Sequence, residues 1–118
     1  MNPLNLFRNE PNTRVLADGE ALFREGEPGD AMYVVLEGGV DVLRGGKVIE
    51  AVGPGGIVGE MALIEQAPRS ATAVARGAVR LAAVSQQRFG FLVQQTPGFA
   101  LHVMRVLVDR LRRTTQRV

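Results

Sequence analysis

Glu60 and Arg69 bracket a stretch whose residue types and spacing suit the capture of an anion. Gly59-Glu60-Met61-Ala62-Leu63-Ile64 reads as the opening of a very short helix, and Pro68-Arg69-Ser70-Ala71-Thr72-Ala73 follows just beyond its end. A helix that starts on glycine leaves main-chain N–H groups and the positive end of the peptide dipoles available to an anion. Arginine adds a planar fork that matches two phosphate oxygens. An ionised carboxylate such as Glu60 only accepts hydrogen bonds, so beside a phosphate it suits a hydroxyl donor such as a ribose 2′-OH. A phosphate clamp with a hydroxyl acceptor next to it describes a nucleotide pocket.

The elements that must hold these residues are mostly strands. Turn signals recur every eight or so residues at Asp18-Gly19, Pro28-Gly29, Gly38-Gly39, Gly45-Gly46 and Pro54-Gly55-Gly56. Between them lie β-prone runs from Met32 to Leu36, Val40 to Leu43 and Val48 to Val52, and two more follow from Ser70 to Ala75 and Val79 to Val84. That rhythm predicts an antiparallel sandwich or barrel. Ser85 then caps a helix over Gln86 to Gln95, weakened in its middle by Gly90. Thr96-Pro97 opens a final helix that should run to about Thr115. The segment from Pro3 to Asn9 reads as a further short helix. With 118 residues the chain suits one domain over 1–118, a β-roll over about 13–84 and C-terminal helices over about 86–115.

The final helix carries more apolar surface than one core needs. At 100° per residue, His102, Arg105, Asp109, Arg112 and Arg113 share one narrow polar sector. Residues from Phe99 to Leu111, including Leu101, Val103, Met104 and Val108, fill an arc of roughly 220°, about twice the stripe that docks on a single core. Three readings remain open: a helix sunk into its own domain, a seam between two copies of the chain, and a lid over a bound ligand.

Two motifs now take on a family character. GEMALIEQAPRSATAVA resembles the phosphate-binding cassette of cyclic nucleotide-binding domains, roughly G-E-x-A-L followed by P-R-[S/T/A]-A. Upstream, Gly29-Asp30-Ala31-Met32-Tyr33-Val34-Val35-Leu36-Glu37-Gly38-Gly39-Val40 is similar to the same family's G-D-x-h-Y-h-h-h-x-G-x-V signature, where h is hydrophobic. The resemblance runs from about Leu16 to the C-terminus. It implies a mainly β fold with flanking helices: an antiparallel β-roll, or jelly roll, with a short cassette helix and two C-terminal helices. It implies a 3′,5′-cyclic nucleotide as ligand, with cAMP favoured over cGMP.

The resemblance also assigns roles. Arg69 would grip the equatorial phosphate oxygens and Glu60 would accept from the ribose 2′-OH. Gly59 would cap the helix and let the main chain approach the sugar, while Met61, Ala62 and Leu63 belong to the cassette, the last two acting through their N–H groups. Ser70 would donate to a phosphate oxygen; serine here leaves the base preference open. By likeness to bacterial cAMP receptors, Thr114 and Thr115 stand where a Thr-Ser pair contacts the adenine, one residue reaching across a dimer. Stacking of Arg105 or Arg112 on the base is an alternative. Val35, Val48 and Val58 are candidates for an apolar slot. The chain departs from the family at Val58, where an aromatic is usual, and at Gly56, where an acid is usual.

Composition narrows the alternatives. Cysteine is absent and His102 is the only histidine, which leaves no ligand set for a cupin-type metal enzyme or a haem sensor. No metal or cofactor is expected, and no nucleophile and base are arranged for catalysis, so a non-enzymatic module is expected. No apolar run approaches the roughly 18 to 20 residues that span a bilayer. Met1 to Arg8 lacks a secretory pattern, and the expected location is cytoplasmic. The formal net charge is only +2. Arg110, Arg112, Arg113 and Arg117 fit a solvated helix end, so direct nucleic-acid contact is not expected. A ligand-free interaction or dimerisation domain of the same fold, or a fragment of a larger regulated protein, is the competing reading.

Overall fold

A computed structural model describes residues 2–116, with side chains described as far as 113. Strands β1 (Thr13–Leu16), β2 (Ala21–Phe23), β3 (Ala31–Arg44), β4 (Lys47–Val52), β5 (Ile57–Val58) and β6 (Thr72–Ser85) form one antiparallel sheet. Its main path runs β1-β6-β3-β4, with β2 also pairing β6 and β5 pairing β3. The helices are α1 (Pro3–Leu6), α2 (Glu60–Glu65), α3 (Gln86–Gln95) and α4 (Pro97–Gln116). This is the antiparallel roll with a short helix and two C-terminal helices that the motifs imply.

Where four separate short strands are expected, the chain builds two long ones, and the fifth expected run stands alone as β4. The runs on either side of Gly38-Gly39 merge into β3, and those on either side of Gly77 merge into β6, each 14 residues long. Gly38-Gly39 is therefore a bulge and not a reversal. The register between β3 and β6 shifts on both sides of Glu37. Gly38 has φ of +83°, and a Cβ there would stand 2.2 Å from the carbonyl oxygen of Ala78. Only glycine accommodates both the left-handed backbone and that approach.

The bulge also decides which side chains face which core. Before it, Tyr33 and Val35 point into the roll; after it, Val40 and Val42 do so. The switch from odd to even numbering is the consequence of extra residues on one strand of the pair. On β6 the irregularity opposite Glu37 to Gly39 adds an even number of residues between Arg76 and Arg80, so Ala73, Ala75, Val79 and Leu81 keep one parity and fill the same core. Met32, Val34 and Leu36 face the other way, where they meet Phe7, Leu63, Leu92, Phe99 and Val103 from the helical side.

The helices follow their sequence signals. Ser85 caps α3, its hydroxyl accepting from the N–H of Arg88 at 3.2 Å, and α4 begins at Pro97 as expected. Phe99 and Val103 are buried, with Val106 and Leu107 packed beside them. Leu101, Met104, Val108 and Leu111 remain exposed, so the apolar arc of α4 does exceed what the roll covers. Segment α1 docks on these helices. Phe7 meets the ring of Phe99 edge-on at 6.1 Å, and Arg88 lies over Phe7 while donating to Glu10 at 2.6 Å. No helix among the described residues is long and apolar enough to cross a membrane.

Two outcomes follow for stability. Gly38→Ala is expected to cost more than about 2 kcal/mol, because strain at positive φ adds to the clash. Gly46→Ala, also at positive φ but with nothing within 4 Å of its Cβ, should cost only about 1 kcal/mol. Equal shifts of the urea midpoint for the two would refute the clash at Ala78. Second, the hydrogen bond from Arg88 holds Glu10 below the ordinary 4.5, against the upward push of burial. A depressed folded value means that the contact's contribution is complete above about pH 4.5 and fades as pH falls through the lower folded value. The stability gap between the native chain and Glu10→Gln should therefore close on acidification; a gap that is constant from pH 7 to 3 would exclude the pairing.

Candidate functional site

A cavity of about 540 Å³ lies between the roll and α4. One end is formed by Gly59, Glu60, Met61, Ala62, Arg69 and Ser70. The other end is formed by Val42, Ile49 and Glu50 from β3 and β4, and by Leu107, Arg110, Leu111 and Arg113 from α4. Tertiary structure thus brings together six of the residues singled out in the sequence. The side chain of Leu63 turns away into the helix-side core, leaving only its main chain on the cassette. Thr114 and Thr115 belong to the last turn of α4, and their side chains fall outside the described residues.

Arg69 is the most constrained of these groups. It is 5% exposed, and its guanidinium lies over the Phe23 ring at 4.1 Å. Nη1 donates to the carbonyl of Gly59 at 3.1 Å and Nη2 to that of Ala31 at 2.8 Å. Its bonds therefore run to main chain and not to Glu60 or Glu65. Nε is buried and has no acceptor among the described residues. Burial pushes the guanidinium's pKa down, opposed at longer range by Tyr33, Asp30, Glu27 and Glu60; an arginine nonetheless stays charged. A buried cation with an unused donor and no directly bonded carboxylate is suited to an incoming anion.

The glycines of the two motifs exist for this arginine. A Cβ on Gly29 would stand 2.6 Å from the Cβ of Ala62 and 2.8 Å from Arg69 Nε. One on Gly59, where φ is +81°, would stand 2.6 Å from Arg69 Nη1 and 3.2 Å from Phe23. Gly59 does occupy the N-cap of α2, but the room it provides is filled first by the guanidinium. Phe23 escaped the sequence reading because a hydrophobic residue in a three-residue strand reads simply as core.

Glu60 is 2% exposed and is held by Arg110 of α4. Arg110 also donates from Nη2 to the carbonyl of Ile57 at 2.7 Å and from Nε to Glu50 at 2.9 Å. Arg113 reaches Glu50 at 2.7 Å as well. Burial works to lower the pKa of Arg110, and Glu50 and Glu60 more than offset it, so the net shift is upward. Arg110 does not belong to the solvated helix end that its charge suggests: it lies under the helix, about 20° from Phe99 at 100° per residue. A lone arginine in the buried stripe was the available signal. Arg105 and Arg112, offered for base stacking, are exposed and do not line the cavity. Of the three valines proposed as an apolar slot, Val58 lines the cavity, Val35 is core and Val48 is exposed. Val42, Ile49, Leu107 and Leu111 supply that slot in place of Val35 and Val48.

Residues 13–96 match the family model for the cyclic nucleotide-binding domain, and the chain belongs to that family. It is 38% identical over 82% of its length to a cyclic nucleotide-gated potassium channel of Mesorhizobium japonicum, covering 27% of that protein. It is 34% identical over 84% of its length to the cyclic AMP receptor protein of Thermus thermophilus, covering 48% of it. The crystal structure of the Thermus thermophilus catabolite activator protein superposes with a TM-score of 0.81 at 32% identity, over 88% of this chain and 51% of that one. The chain thus spans from about a quarter to a half of the length of these three relatives.

The Arg110 fork makes a stability prediction. Arg110→Met leaves Glu60 buried without its cation and is expected to cost about 3 kcal/mol. The double variant Arg110→Met, Glu60→Leu should recover much of that loss in chemical denaturation. Additive losses in the cycle would show that the two side chains are not coupled.

Proposed function

We propose that this chain binds a 3′,5′-cyclic nucleotide, cAMP in preference to cGMP, as a regulatory module that does not turn its ligand over. The observation that carries the reading is Arg69, a buried guanidinium on the lining of the cavity whose Nε has no acceptor among the described residues. The phosphate sits on Arg69 and the first turn of α2, and the ribose 2′-OH donates to Glu60. The base continues along the cavity toward α4. The names of the relatives, a cyclic nucleotide-gated channel and a cyclic AMP receptor, support the ligand class. The largely apolar walls, which hold no histidine or cysteine among the described residues, support binding without chemistry.

Occupancy is relayed by α4. Glu60 accepts both from the ribose and from Arg110, so the sugar touches the same carboxylate that anchors the helix. A ligand can shift α4 only to the extent that it binds one arrangement more tightly than another. The exposed residues Leu101, Met104 and Val108 recur at spacings of three and four, which suits a second copy of the chain packed along α4. We assign the module to the cytoplasm, where such nucleotides are signals.

Calorimetry on nucleotide-stripped protein tests the reading directly. Saturable binding of cAMP is expected, with weaker binding of cGMP and of 2′-deoxy-cAMP. Arg69→Ala should weaken cAMP binding by at least about ten- to a hundred-fold, the value of a charge-assisted bond. No saturable heat with either nucleotide at sub-millimolar concentration would favour a ligand-free interaction domain of the same fold.

A further inference from the structure

Resting on the cyclic-nucleotide reading above, we propose that Arg44 and Lys47, at the closed end of the β3–β4 hairpin, steer the anionic ligand into the cavity. Gly45 and Gly46 join the two strands, with φ of +59° and +78°. A two-residue turn with positive φ at both positions is the tight kind that keeps its flanking residues paired. Arg44 and Lys47 are accordingly direct cross-strand partners, and side chains so placed leave the sheet on one face. That face is the cavity's, because Val42 and Arg44, two residues apart on β3, both line it.

Two like charges directly opposite each other work against the hairpin that carries them. Both side chains are exposed, and among the described residues neither has a carboxylate within ion-pair distance. Arg44 Nε donates to the carbonyl of Ser70 at 3.3 Å, a neutral acceptor that leaves the charge uncompensated. The bond instead ties the guanidinium to the cassette, one residue beyond Arg69. A local cost of this kind, kept at the rim of a binding cavity, has its return in the ligand.

The other cations of the cavity are engaged from within. Arg110 faces Glu50 and Glu60, Arg113 faces Glu50 and Asp109, and Arg69 is buried. Four arginines against two glutamates line the cavity, a surplus equal to the formal +2 of the whole chain. The excess positive charge is thus gathered at the cavity and not spread over the surface. A concave site of one sign draws counter-charged ligand from solution. An approaching phosphate meets the exposed pair first. Charges at a rim act on the rate of encounter more than on the lifetime of the complex, and salt screens them.

Stopped-flow binding of cAMP carrying a fluorophore on C8 of its base separates the two rates. In about 20 mM salt, where screening extends over about 20 Å, Arg44→Gln, Lys47→Gln should associate about threefold more slowly than wild type. Its dissociation rate should stay within about 1.5-fold. At about 0.5 M salt the two proteins should associate alike. Arg8→Gln, Arg14→Gln removes as many charges outside the cavity and should leave association within about 1.5-fold of wild type. The urea midpoint of Arg44→Gln, Lys47→Gln should equal or exceed that of wild type, because a repulsion has been removed; a lowered midpoint would show the pair to be structural and overturn the proposal. So would equal association rates at low salt, a slowing that persists at high salt or appears only in dissociation, or an equal slowing in Arg8→Gln, Arg14→Gln. A wild type without saturable binding fails the cyclic-nucleotide reading itself and takes this one with it.

Discussion

Everything at the cassette is arranged around the burial of one guanidinium. Arg69 lies on Phe23 and gives two hydrogen bonds to main-chain carbonyls at Gly59 and Ala31. Desolvating a cation is expensive, and neutral carbonyls offset only part of the cost. That imbalance is what an anion relieves. Satisfying it fixes the entrance to β3 and the start of α2 in one geometry, because each contributes a carbonyl. Gly29 and Gly59 then have no freedom to carry a side chain. Two motifs far apart in sequence are thus two halves of one packing problem.

A second arginine joins this centre to the rest of the molecule. Arg110 emerges from the buried stripe of α4 and spans Glu60 of the cassette, the Ile57 carbonyl of β5 and Glu50 of β4. It places the end of α4 over the cavity through directional bonds, where apolar contact alone would let the helix slide. The helix has a different partner on each side. Phe99 and Val103 fasten its first half to the sheet and to α1, while Leu101, Met104, Val108 and Leu111 remain on the surface. The early part of α4 is therefore set by the core, and its later part by charges that belong to the site.

Much of this was legible along the chain. Turn pairs, the Ser85 cap, the Thr96-Pro97 boundary and the excess apolar arc of the last helix are local properties, set by backbone preference and periodicity. The merging of short runs into β3 and β6 was not legible, because Gly38-Gly39 has the same composition whether it reverses a strand or bulges it. The distinction depends on the carbonyl of Ala78, forty residues away in the chain and 2.2 Å from where a Cβ would stand. Arg110 was hidden for another reason. Its charge suggested solvent, and only its angular position beside Phe99 pointed inward.

By itself, the sequence determined the kind of fold and singled out Gly59, Glu60, Arg69 and Ser70, which carry their chemistry in residue type and short-range spacing. Tertiary structure decided what those residues face. It set Arg69 against Phe23 and two carbonyls, turned Leu63 into the core, and joined Glu50 to Glu60 through Arg110. Hydrogen-bond direction and burial are properties of juxtaposed segments, and no window of sequence contains both partners.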